Sequence, residues 1–152
     1  MEHHWPDNEA SVMFLKSVAN LLKNDYLLLK NNAQERAITH KLAEYLQIEF
    51  PGWEVDCEYN RHLDKIKRRA DGSSFNPDII VHRRESDRYN LLVIEAKKSN
   101  GEDNHEAERL KEATSPQSEY RYQLGILIIF YVLDEYQLAP VISFFKRGVQ
   151  IS

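Results

Sequence analysis

The chain has 152 residues, 42% hydrophobic and 29% charged, which is enough apolar material for the core of a single domain. Five glycines and five prolines leave no long linker, and a net charge of −4 gives no overall basic field, so contact with nucleic acid would have to come from a local patch. The lone Cys57 excludes an internal disulfide framework and fits a reducing, cytoplasmic setting.

The opening MEHHWPDNEA is polar and reads as neither a signal nor a transit peptide. Residues 9–30 carry Val12, Leu15, Ala19, Leu22, Tyr26 and Leu29 at three- and four-residue steps, which predicts one helix, capped by Asp7 or Asn8 and broken at Asn31-Asn32. A second helix is predicted over 33–49, with Ile38, Leu42, Tyr45 and Leu46 on its apolar face and Pro51-Gly52 closing it. WEVDCEYN, 53–60, alternates as a half-buried strand does. Residues 61–75 have no period and read as a basic loop.

A hairpin follows, with strands near 77–84 and 89–98. Residues 102–114 read as a mostly solvated helix with a modest apolar line of Ala107, Leu110 and Ala113. Strands near 121–133 and 140–147 complete an α/β domain with a mixed sheet. The run ILIIFYVL, 126–133, is too short for a membrane span and fits a buried strand, so no membrane association is expected.

Acids interrupt the most strand-like segment. Side chains two apart on a strand share a face, so Glu95 and Lys97 point the same way, with Leu91 and Val93, while Leu92, Ile94 and Ala96 point into a helix-covered core. A turn centred on Ser86-Asp87 sets Asp78 directly across from Glu95. Opposed carboxylates repel and need compensation. Lys97 supplies one positive charge. Glu35, placed between Leu42 and Leu46 on the apolar face of its helix, adds a third acid. Three carboxylates and one ammonium leave a deficit that a single Mg²⁺ balances.

Asp78 after Pro77, followed by Glu95-Ala96-Lys97, resembles the PD-(D/E)XK motif of the restriction-endonuclease-like nuclease superfamily. The element order is similar to that family's αβββαβ core, with the motif on the second and third core strands. Glu35 resembles the extra acid that many members carry, and Tyr122-x-x-Gly125 leading into an apolar strand is a weaker likeness. The likeness covers residues 33–147 and leaves the first helix outside it.

It implies a restriction-endonuclease-like fold, one domain over residues 1–152 with a helix-flanked mixed sheet and an extra N-terminal helix, and an Mg²⁺-dependent nuclease, with Mn²⁺ as a substitute ion. The implied substrate is nucleic acid, DNA in the first place, and a homodimer would suit double-strand cutting. Asp78 and Glu95 would ligate the ion together with the backbone carbonyl of Ala96. Lys97 would orient the attacking water or stabilise the transition state, and Glu35 would hold a water of the ion or a second ion. The basic residues Arg61, Lys65, Lys67, Arg68 and Arg69 are candidate phosphate contacts. Arg83, Arg84 and Arg88 lie at the far end of the hairpin and are weaker ones.

Each feature also has an ordinary reading. Asp78 can simply open a strand, Glu95 and Lys97 can form an exposed pair, and Glu35 can be a first-turn acid favouring the helix dipole. A basic loop can be merely solvated, and Tyr120 and Tyr122 can stack on bases or pack in the core. His3, His4 and His62 lack metal-ligand spacing, so no zinc site is expected. Two other functions follow from these readings: a catalytically inactive nuclease-fold module for nucleic-acid binding or assembly, and an unrelated α/β interaction domain.

Overall fold

The computed structural model describes residues 7–59, 61–62, 65–66, 69–73, 75–86 and 88–152. The helices are α1 (Asp7–Asn24), α2 (Tyr26–Lys30), α3 (Glu35–Glu49) and α4 (Glu106–Thr114). The strands are β1 (Glu54–Cys57), β2 (Arg61–His62), β3 (Lys65–Ile66), β4 (Ile79–His82), β5 (Asn90–Lys98), β6 (Leu124–Phe130), β7 (Val141–Lys146) and β8 (Val149–Gln150). Six strands form one sheet in the order β1-β4-β5-β6-β7-β8. All its neighbours are antiparallel except β5 and β6, which α4 connects as a parallel crossover. The architecture is α/β, with a mixed sheet flanked by helices.

The sheet is covered on both faces, which is why β5 reads as a nearly continuous apolar run. On one face Ile79, Val81, Leu92, Ile94, Ala96 and Ile126 join side chains of α1 and α3. On the other, Ile80, Val93 and Phe145 meet Leu110 and Ala113 of α4, with Phe75, Tyr120 and Tyr122 beside them. No helix among the described residues is long and apolar enough to cross a membrane.

The structure departs from the expected elements in several places. The first helix is interrupted at Asp25, whose backbone is not helical and whose carboxylate accepts the Tyr45 hydroxyl hydrogen bond. Asn32, in the left-handed region at φ 54, ends α2 as expected. Residues 61–62 and 65–66 pair as a short two-stranded ladder where a loop was expected. Residues 102–105 are not helical: α4 begins only after His105, at φ 61. Leu91 does not share a face with Val93. The β4–β5 register shifts between Val81 and His82, and this bulge turns Leu91 into the core under α1 and α3.

A candidate active site where β4 begins and β5 ends

The β4–β5 ladder sets the geometry. Its terminal pair is Ile79 opposite Ile94, so the next step outward faces Asp78 with Glu95, as the hairpin pattern predicts. The bulge lies at the other end of the pair and leaves this register untouched. Beyond Ile79 the chain of β4 no longer covers β5, and side chains take over its backbone partners. The Ala96 N–H donates to Asp78 Oδ2 at 2.9 Å, and the Lys98 N–H donates to Glu35 Oε2 at 3.2 Å. In an extended strand a residue's N–H and C=O leave on the same side. The Ala96 carbonyl therefore leaves β5 on the side of Asp78 and Glu35.

Glu35 is the first residue of α3 and half-buried. It is thus both a first-turn acid and a partner of the end of β5. A Cβ on Gly101 would stand 2.9 Å from Glu35 Oε2, so glycine there leaves room for the carboxylate. Glu35, Thr39, Cys57, Glu58 and Asp78 line a cleft of about 400 Å³. Glu95 is a step inside, with a side chain only 4% exposed.

Burial pushes the Glu95 carboxyl well above its ordinary range, and the Asp78 charge and hydrogen bond push the same way; Arg109 opposes. Burial also raises Asp78, against the Ala96 N–H and the Glu95 hydrogen bond, while the Glu35 charge raises it further. Both carboxyls of the pair are thus shifted toward holding a proton, Glu95 the more strongly.

Lys97 is not the cation beside this pair. Its Nζ donates to the Glu102 carbonyl at 2.8 Å and lies 3.7 Å from Glu106 Oε1. The cation that meets Glu95 is Arg109, with Nε 3.3 Å from Glu95 Oε1 and its Nη1 on the Asn104 carbonyl. Neither Arg109 nor Glu106 stands out in the sequence alone. The signal was coarse: they lie three apart on the helix that links two parallel strands, and such a helix has to pack on one face of the sheet.

No family model, no curated protein and no solved structure matches this chain. Its chemistry therefore rests on the residues themselves. Among the described residues, no group of three or more His, Cys, Asp or Glu side chains is arranged to hold a metal ion. The hard donors that do come together are the Asp78 and Glu95 carboxyls, with the Ala96 carbonyl beside them. That set fits Mg²⁺, which takes oxygen ligands and keeps several of its waters. Glu35 stays on the Lys98 N–H.

The other candidates fare differently. The side chains of Arg61, Lys65, Lys67 and Arg68 lie outside the described part of the chain, as do those of Asp7 and Asn8. Arg69 has its guanidinium on Glu112, with Nε 3.0 Å and Nη2 2.9 Å from Oε2. Arg84 is spent on Asp56, and Arg83 lies over Trp53. Tyr120 and Tyr122 are buried, and Tyr120 stacks on Phe75, so neither presents a face to a base.

Proposed function

We propose that the chain is a Mg²⁺-dependent nuclease that hydrolyses phosphodiester bonds of nucleic acid, with DNA as the expected substrate. The observation that supports this reading is the pairing of half-buried Asp78 with buried Glu95 at the end of the β4–β5 ladder, beside a cleft that Asp78 and Glu35 line. Such a pair is destabilising unless a cation or a proton joins it. Asp78, Glu95 and the Ala96 carbonyl would hold the ion. When bound, Mg²⁺ lowers the pKa of water and offsets charge on phosphate oxygens.

The chain's own residues supply the rest. The Ala96 N–H holds Asp78 through its Oδ2 at the edge of the cleft. The Lys98 N–H holds Glu35 at the mouth of the cleft, where its carboxylate can accept a proton from water. Lys97 contributes positive charge at the end of β5, and would stabilise charge developing on phosphate once released from Glu106 and the Glu102 carbonyl.

A second reading, a catalytically inactive nuclease-fold module for nucleic-acid binding or assembly, is favoured by one observation: the Lys97 amine is engaged by Glu102 and Glu106, away from the acid pair. Incubating the protein with plasmid, single-stranded DNA and RNA, in Mg²⁺ and then in EDTA, separates the two. The nuclease reading expects metal-dependent cleavage that Asp78→Asn or Glu95→Gln lowers by roughly 10²-fold or more without unfolding. Retained full activity in either variant removes that residue from the mechanism. Binding without cleavage supports the inactive module.

A further inference from the structure

Two oppositely polarised ion pairs join α4 to the end of β5. The strand places an acid at 95 and a base at 97; the helix places a base at 109 and an acid at 106. Arg109 Nε meets Glu95 Oε1 at 3.3 Å, and Lys97 Nζ meets Glu106 Oε1 at 3.7 Å. The turn before the helix completes both contacts. The Glu102 carbonyl accepts from Lys97 at 2.8 Å, the Asn104 carbonyl accepts from Arg109, and Glu106 Oε2 accepts the Asn104 N–H at 3.1 Å. The acids of both pairs are buried, Glu95 at 4% and Glu106 at 8% side-chain exposure, so solvent screens them weakly.

We infer that Arg109 is an internal counter-cation for Glu95, and that a divalent ion arriving at Asp78 and Glu95 competes with it. This rests on the proposed metal site. A buried carboxylate oxygen that already accepts from a guanidinium gives up part of that contact when an ion draws it across to Asp78. The ion also meets the repulsion of a fixed positive charge a few ångströms away. Arg109 is a positioning residue here: it acts on the ion through Glu95. The coupling is reciprocal, so the ion must weaken the hold of Arg109 by the factor by which Arg109 weakens the ion. The Lys97–Glu106 pair is the internal comparison, because it belongs to the same helix and touches neither carboxyl of the metal pair.

Calorimetric titration of the full chain with Mn²⁺ tests the competition. Wild type is expected to bind. Arg109→Gln is expected to bind about fivefold to tenfold more tightly, the modest size reflecting a guanidinium that is partly exposed. Unchanged or weaker binding by folded Arg109→Gln overturns the inference and leaves the metal site standing. No Mn²⁺ binding by wild type overturns both. A measurement on the unaltered protein covers the case in which the variant does not fold: the Nε–H resonance of Arg109, assigned with Arg109→Lys, is followed as Mg²⁺ is added. It is expected to shift and broaden toward the position of a solvated guanidinium. A resonance unmoved while other signals report a saturated site overturns the inference.

Discussion

At the scale of single residues, Glu95 and Asp78 give the metal-free protein a distinctive pH dependence. Glu95 keeps its proton in the folded state well above its ordinary value of 4.5, and Asp78 is raised above 3.8. The unfolded chain releases both near their ordinary values. Between the unfolded and folded values the folded protein binds more protons, so its stability is greatest at the acid end of that window and falls as pH rises through it. Asp56 has the opposite sign. The His82 and Arg84 hydrogen bonds outweigh its burial and depress its pKa, so its contribution is present above its ordinary 3.8 and is lost as pH falls below that. The two windows barely overlap. In EDTA, therefore, wild type should melt at a higher temperature at pH 5 than at pH 8, and Glu95→Gln should show a smaller drop across the same range. Equal slopes for the two proteins would mean that Glu95 titrates normally. Mg²⁺, which competes with protons for these carboxyls, should reduce the drop in wild type only.

At the scale of elements, the site depends on how closely α4 can approach the sheet, and Gly125 decides this. A Cβ built there would lie 3.1 Å from Thr114 Cγ2, 3.4 Å from Phe145 Cβ and 3.5 Å from Leu110 Cβ, so even a methyl would crowd Thr114 by a few tenths of an ångström and anything larger would press on α4. Gly125→Val should push α4 outward and destabilise the protein by about 1–3 kcal/mol, read by urea denaturation. Because Glu106 and Arg109 ride on that helix, a stability unchanged by the substitution would show that α4 is not fixed where the pairs need it. The same dependence explains what the sequence could tell in advance. The strand pair was legible, because period-two alternation and a short hairpin fix which residues face each other, and 78 with 95 follows from that. Arg109 was not, because its partner depends on where a crossover helix lands, and that landing is set by Gly125, the left-handed His105 and the carbonyls of 102 and 104. The interruption at Asp25 was equally hidden, since its hydrogen-bond partner Tyr45 lies twenty residues away on another helix. The ladder of 61–62 with 65–66 has strands of two residues, too short to carry any period.

At the scale of the whole molecule, α1 lies outside residues 33–147, the stretch on which the proposed function rests, yet it builds part of the core. Ala10, Phe14, Val18 and Leu21 are buried against the same cluster as Ile38, Leu42 and Leu46 of α3, and α1 packs directly on α3. The helix that starts with Glu35 is thereby held on the sheet from behind. If α1 is part of one cooperative unit, loosening it must loosen β5 and the acid pair as well. Phe14 has no exposed surface, so Phe14→Ala should cost about 3–5 kcal/mol, while Leu15→Ala, on the 45% exposed side of the same helix, should change little. Two probes decide whether the cost is global. Far-UV circular dichroism follows the helices, and fluorescence of Trp53, buried in the core beneath α3, follows the sheet side, with Trp5 replaced by Phe to leave one emitter. Coincident transitions, both shifted by Phe14→Ala, are the expected result. A helical signal that melts early while Trp53 keeps its wild-type midpoint would make α1 an appendage. In that case residues 33–147 would be a self-sufficient domain, and Glu35 would owe its position to the Lys98 N–H and the sheet alone.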